Sequence, residues 1–256
     1  MHSRLSHDSV TDPAAMVKAA ERLGLIEICF TDHFDRTPNE RWTDHIFTKE
    51  EYDAVYGNIA SRSVKIRRGV EFGLLDSNVG ENYDIEKWLS PDFVIGSVHY
   101  AEGEEVYQKP FWEGRSVKES FTAYLLEELK LVRLHRGFDV LGHLNYACKT
   151  PNNPSGEPLL YPIHKDIIDE ILKTIVDKGI GLEVNTSGKD KVGMFLPDKD
   201  ILLRYRELGG EIVTVGSDSH DDKRVGQYAR EAAGLVGSVF GYVCTFEARC
   251  PIYHKI

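Results

Sequence analysis

Six short apolar runs recur along the chain, and each ends in a side chain able to bind a cation or a polar ligand. They are LIEICFTDH (25–33), VKIRRGVEFGL (64–74), DFVIGSVHY (92–100), DVLGHLNY (139–146), IGLEVNTSG (180–188) and EIVTVGSDSH (211–220). Their length and β-branched content suit strands covered on both faces, as in a parallel sheet. Parallel strands need crossovers, and the intervening segments carry helix punctuation. Asp12 precedes Pro13 and Gly24 follows Leu23, the start and stop of one helix. Ser116 and Glu119 form an S-x-x-E capping box ahead of a helical pattern reaching Arg136. Two more helices are expected over Lys165–Lys178 and Asp198–Leu208, each stopped by glycine. This alternation predicts an α/β fold. The polar stretches 34–63 and 102–115 are expected to be loops over a site.

In parallel α/β folds the carboxyl ends of the strands carry the active site. Those ends are His33, Glu71, His99, His143, Glu183 with Asn185, and Asp218 with His220. Singly, each has a structural explanation: a strand-end His bonds backbone, Asp218 caps a helix, Glu71 pairs with Arg67 or Arg68. Independent accidents do not all fall at one end of one sheet. The opening MHSRLSHDSV adds His2, His7 and Asp8 on a stretch that by position alone should fray. Imidazole and carboxylate without cysteine suit Zn, Mn or Fe, and more than four ligands call for more than one ion. Clustered ions clamp phosphoryl oxygens and acidify water, so hydrolysis needs no Ser or Cys nucleophile.

Composition narrows the classes. At 256 residues the chain has the length of a single α/β barrel, and one domain over 1–256 is expected. Its 31 basic against 41 acidic residues, net −10, argue against a surface that coats nucleic acid. No apolar run reaches membrane-spanning length and residues 1–30 lack a secretory pattern. A cytoplasmic protein acting on a small phosphorylated substrate, with no nucleic-acid or membrane partner, is expected. Cys29, Cys148, Cys244 and Cys250 show no C-x-x-C spacing and read as reduced thiols.

HS-x-x-S-x-D at 2–8, TDH at 31–33, GVE at 69–71, GSVH at 96–99, GH at 142–143 and GSDSH at 216–220 resemble the polymerase and histidinol phosphatase (PHP) family. The motifs cover nearly the whole chain in family order. FWEGRS, FDVLGHLNY and LEVNTSG are similar to the histidinol-phosphatase branch. The resemblance implies a distorted, TIM-like (β/α)7 barrel, three divalent ions (Zn, Mn or Fe), and hydrolysis of L-histidinol phosphate in histidine biosynthesis. On the family pattern His2, Glu71 and Asp218 serve one ion. Glu71, His99 and His143 serve a second, and Asp8, His33 and His220 a third. Catalytic roles fall to Asp218, which orients or deprotonates water, and to His33 and His220 beside it.

Arg115, in the EGRS segment, is expected to grip phosphate through its planar fork. His7, Asn185 and Ser187 are expected to face substrate, and Glu183 or Asp35 to meet the substrate ammonium. His45, His135, His164 and His254 are expected at the surface or in helix packing. Two other functions stay open: a PHP phosphoesterase for nucleotides or phosphosugars, and a metal-binding module without catalysis. The family motif begins H-x-H, whereas here Met1 precedes His2, and the family barrel has seven strands where six runs are visible. The first strand is therefore expected to be missing or incomplete. Truncation inside the motif is the favoured reason, and an open barrel with a weakened metal site is the rival.

Overall fold

The computed structural model describes residues 1–256. In chain order the elements are α1 (Pro13–Leu23), β1 (Glu27–Phe30), β2 (His33–Phe34), α2 (Lys49–Tyr56), β3 (Lys65–Gly73), α3 (Glu81–Leu89), β4 (Phe93–Ser97), β5 (Tyr100–Ala101), β6 (Glu104–Glu105) and α4 (Lys109–Trp112). The second half contains α5 (Val117–Leu134), β7 (Val140–Leu141), α6 (Tyr161–Asp177), β8 (Gly181–Asn185), α7 (Lys189–Val192), α8 (Lys199–Glu207), β9 (Val213–Gly216), α9 (Ala229–Phe240), β10 (Tyr242–Glu247) and β11 (Cys250–Lys255).

The main sheet is parallel, in the order β1-β3-β4-β7-β8-β9. β2 continues beside β3 where β1 stops, with His33 opposite Glu71. The first apolar run is thus one interrupted strand, and the sheet has six strand positions, as the sequence anticipates. β1 and β9 are not paired with each other. Two residues bridge them: Thr31 N–H donates to Met1 O at 2.9 Å, and His2 N–H donates to Ser219 O at 2.8 Å. A chain of two residues can touch both edges only if the sheet is curled nearly closed, which is the distorted TIM-like barrel expected. A cavity of about 200 Å³ lies along the remaining gap, lined by Cys29, Thr214 and Phe246 among others.

Local signals explain most helices. Asp12 accepts from Ala14 N–H at 2.8 Å, Pro13 opens α1, and Gly24 ends it at φ 68°. α5 has the Ser116–Glu119 capping box and ends at Leu134, and α8 is capped by Asp198. α6 begins at Tyr161 rather than Lys165, across a kink at His164. The stretches 34–63 and 102–115 are not all loop. The first contains α2, started by a Thr48–Glu51 capping box, and the second contains β6 and α4. No helix is long and apolar enough to cross a membrane.

The outer face of the sheet is apolar where the helices cover it: Leu141, Leu182 and Val213 are fully buried in the main core. Truncating such a leucine to alanine costs about 2–5 kcal/mol. The β10–β11 hairpin packs under the amino ends, with Phe246 4.9 Å from Phe93 by ring centroid. Arg67, buried at that end, pairs with Glu27, Asp92 and Glu247.

Candidate metal centre

Five of the six strand positions deliver a candidate ligand to the same mouth. His33 lies on β2 and Glu71 on β3; His99 and His143 follow β4 and β7 by two residues, as Asp218 follows β9. Glu71, 3% exposed, is the hub. Its Oε1 lies 3.2 Å from His99 Nε2 and 3.1 Å from His143 Nε2, and its Oε2 lies 3.3 Å from His2 Nε2. His2 Nε2 is also 3.1 Å from Asp218 Oδ1. Asp8 Oδ2 reaches His220 Nε2 at 2.8 Å and His33 Nε2 at 3.7 Å. The His2 ring stacks against those of His33 and His220, both at 4.3 Å by centroid.

The frayed-terminus problem has a physical answer. Asp32, wholly buried, accepts from Ser3 N–H at 2.6 Å and Ser6 Oγ–H at 3.0 Å, and from the Tyr56 hydroxyl. Ser6 Oγ also accepts from His33 N–H at 3.0 Å and stands 3.3 Å from His2 Nδ1. One carboxylate thus ties the N-terminal loop to the β1–β2 break and to α2. His2 is fixed although it is the second residue.

Backbone strain marks the same place. His143 has φ 22° and Asp218 φ 51°, a left-handed region costly for residues with a Cβ. Below them, Glu183 Oε2 accepts from His143 N–H at 3.0 Å, and a Cβ on residue 216 would meet Glu183 Oε1 at 1.9 Å. Gly216 therefore makes room for the carboxylate that holds His143 in its strained pose. This corrects the expectation for Glu183, which supports the centre from beneath rather than facing substrate.

The electrostatics are those of a cation site. Burial opposes charge on Glu71 and Asp218, yet their neighbours hold both carboxyls well below their usual range: the His33, His143, His2 and His99 imidazoles around Glu71 and the Lys149 ammonium beside Asp218. Burial also works against the His2 imidazolium, but hydrogen bonds to Asp218 and Glu71 raise it to about 9. His33, buried and beside His2, is pushed down to about 4. Four overlapping trios have donor atoms within 4.8 Å of one another: His2–His33–His220, His33–Asp35–His99, Glu71–His99–His143 and His2–Glu71–Asp218. All donors are nitrogen or carboxylate oxygen, which fits divalent cations of the Zn, Mn or Fe kind. The last two trios coincide with two of the three ion sets expected. For the third set, the Asp8 carboxylate is in reach of both His33 and His220.

Above the cluster lies a cavity of about 490 Å³. Lys149, Lys191, Arg224 and Ser187 line it near α7; Glu105, Tyr107 and the stacked His7–His45 pair line it near β5 and β6. The His7 and His45 rings are 3.5 Å apart by centroid, so His45 belongs to the mouth, contrary to the default given it. His135, His164 and His254 stay outside the cavity; His135 Nε2 bonds Leu75 O at 2.8 Å. Arg115 is also misplaced: its guanidinium pairs with Glu102 at 2.7 Å and lies over Phe111, not in the lining. Asn185 is buried beneath Ser187 and holds it, Oδ1 to Oγ at 2.6 Å.

Sequence reasoning missed Lys149. Its ammonium bonds Asp218 Oδ2, reaches Ser187 Oγ at 2.8 Å and rides 5.1 Å over the Tyr146 ring. The only hint was a lysine six residues beyond the GH motif.

Comparison with known proteins agrees with this geometry. The model of the PHP domain matches residues 1–187. A probable histidinol-phosphatase of Clostridium acetobutylicum is 33% identical over 99% of this chain and 97% of its own length. A histidinol-phosphatase of Lactococcus lactis subsp. lactis is 31% identical over 87% of this chain and 83% of its own. The crystal structure of histidinol phosphate phosphatase from L. lactis, complexed with zinc, L-histidinol and phosphate, is similar at TM-score 0.82 and 27% identity, covering 98% of this chain and 97% of that one. A match to the family model over nearly three quarters of the chain, joined to a relative alike from end to end, makes this chain a member of the PHP domain family.

Proposed function

We propose that this protein is a metal-dependent phosphatase that hydrolyses L-histidinol phosphate to L-histidinol and phosphate, a step of histidine biosynthesis. The observation that carries the reading is the end-to-end likeness to a solved histidinol phosphate phosphatase holding zinc, L-histidinol and phosphate, joined to nitrogen and oxygen donor trios at the carboxyl end of this chain's barrel. We assign three divalent ions. His2, Glu71 and Asp218 hold one, Glu71, His99 and His143 a second, and Asp8, His33 and His220 a third. When bound, such ions supply Lewis acidity toward phosphate oxygens and lower the pKa of water.

The remaining roles belong to side chains. Asp218 orients the attacking water and draws on its proton, with His33 and His220 flanking the same spot. Lys149, tethered to Asp218 and Ser187, supplies a fixed positive charge to the phosphate, and Lys191 and Arg224 add to it from the cavity wall. His7 and Ser187 face the substrate. For the ammonium of the substrate the acid is Glu105, half-buried on β6; the two acids expected for it, Asp35 and Glu183, are already engaged with histidines. Cations at one end of the cavity and an acid at the other fit a molecule with a phosphate head and a cationic tail.

The test is kcat/KM for histidinol phosphate beside a panel of nucleoside monophosphates and phosphosugars, with metal content measured on the same sample. The highest value for histidinol phosphate supports the proposal. A preference for a nucleotide or phosphosugar overturns the substrate, and metal-loaded protein that hydrolyses no phosphomonoester overturns the enzyme.

A further inference from the structure

Asp35 stands behind two of the candidate ligands. It follows His33 by two residues, so both side chains leave the same face of the backbone. Its backbone is pinned on both sides by His45: Asp35 N–H donates to His45 O at 2.8 Å, and His45 N–H donates to Asp35 O at 2.7 Å. Across from it residue 73 is glycine, where a Cβ would lie 2.3 Å from Asp35 Oδ1. The carboxylate therefore fills space that any other residue at 73 would take. Its side chain is only 7% exposed.

Asp35 Oδ2 lies 3.0 Å from His99 Nδ1 and 3.5 Å from His33 Nδ1. The opposite nitrogens face the donor cluster: His99 Nε2 is 3.2 Å from Glu71 Oε1, and His33 Nε2 is 3.7 Å from Asp8 Oδ2. A neutral imidazole has one lone-pair nitrogen and one N–H. An acceptor behind Nδ1 draws the proton there, frees the Nε2 lone pair for a cation and sets the plane of the ring. The His99 ring meets this condition through a hydrogen bond, and His33 Nδ1, which is buried and has no hydrogen-bond partner, faces the same oxygen at 3.5 Å.

We infer that Asp35 is the positioning residue of the metal centre: a single carboxylate oxygen holds His33 and His99, ligands of two different ions, with Nε2 presented to both. The inference rests on the metal-centre reading above, and it couples two ion sites through a group that touches neither ion.

The experiment strips wild type and Asp35→Asn of metal and titrates each with Zn²⁺ against a chromophoric chelator, recording the Tm of the metal-free forms. The expected result is a loss of about 10–100-fold in affinity for two of the ions. The ion of His2, Glu71 and Asp218 keeps its wild-type affinity, and the metal-free Tm changes little. Unchanged affinities overturn the inference, as does an equal loss for every ion together with a lowered Tm, which marks a merely structural role. Wild type that binds no zinc overturns the metal-centre reading itself. A second measurement needs no variant: in zinc-loaded crystals Oδ2 stays on the two Nδ1 atoms, whereas a direct bond to zinc of about 2.0–2.2 Å makes Asp35 a ligand and overturns its positioning role.

Discussion

Lys149 and His2 grip the two oxygens of one carboxylate: the Lys149 ammonium bonds Asp218 Oδ2, while His2 Nε2 lies 3.1 Å from Oδ1. A strand-end acid is thereby shared between a candidate ion site and the cation that faces the cavity. Replacing Lys149 with methionine keeps the length of the stem and removes the charge. A charge-assisted hydrogen bond contributes about 1.5–3 kcal/mol, so kcat/KM should fall about 10–100-fold. Steady-state kinetics with metal analysis checks this; wild-type kcat/KM in the variant would remove Lys149 from the phosphate site.

Arg115 serves as the contrasting case. Its guanidinium is spent on Glu102 and the Phe111 face, outside the cavity. Arg115→Ala should leave kcat/KM near the wild-type value, since the side chain lies outside the cavity, and should cost about 0–1 kcal/mol of stability as an exposed pair. A loss as large as that of the Lys149 variant would mean that the loop closes over substrate and carries Arg115 with it.

The N-terminal loop depends on Asp32. Asp32→Ala leaves Ser3 N–H, Ser6 Oγ and the Tyr56 hydroxyl without their buried acceptor, at about 1–3 kcal/mol for each group left unmet. The expected outcome is a lowered Tm and loss of the ion held by His2, read by calorimetry and metal titration. Retained stoichiometry would show that the loop is anchored by other contacts.

Glu128 offers a pH signature away from the site. It is wholly buried on α5, with only the Tyr124 hydroxyl nearby at 3.4 Å. Burial pushes its carboxyl well above the usual range. A carboxyl raised in the folded state is neutral there at low pH, so it costs nothing below its unfolded pKa. Its penalty appears as pH climbs from the unfolded value and levels off above the folded one. Glu128→Gln should therefore match wild type near pH 4 and exceed it in Tm at pH 8, by about 2–4 °C for each kcal/mol in a chain of this size. Equal Tm differences at both pH values would mean that Glu128 is not protonated in the folded protein.

The parallel sheet and the convergence of His33, Glu71, His99, His143 and Asp218 were legible because apolar runs set strand positions and all parallel strands point one way. His2 was legible only by motif, since nothing local predicts that a buried Asp32 pins residue 2. Lys149 escaped because it sits in a 3-10 turn beyond the short β7, where no periodicity shows which way a side chain points. Arg115 misled because a charged fork near a motif does not reveal its partner, here Glu102. The α2 capping box at Thr48 and Glu51 was readable and lay inside a stretch taken for loop. The β10–β11 turn was not readable: Ala248 and Arg249 take φ 48° and 65° without a glycine or asparagine to announce them. Glu183 and Asp35 look alike in sequence, and only hydrogen-bond partners separate them.

The central claim is that residues from His2 to His220 share divalent cations in one mouth. Anomalous diffraction at the zinc edge, from crystals soaked in Zn²⁺ and phosphate, tests it most directly. The account predicts peaks within about 2.0–2.2 Å of Glu71, His99, His143, His2 and Asp218 atoms, with phosphate density beside Lys149. Zinc bound only elsewhere, or a mouth that stays empty at saturating metal, would contradict it.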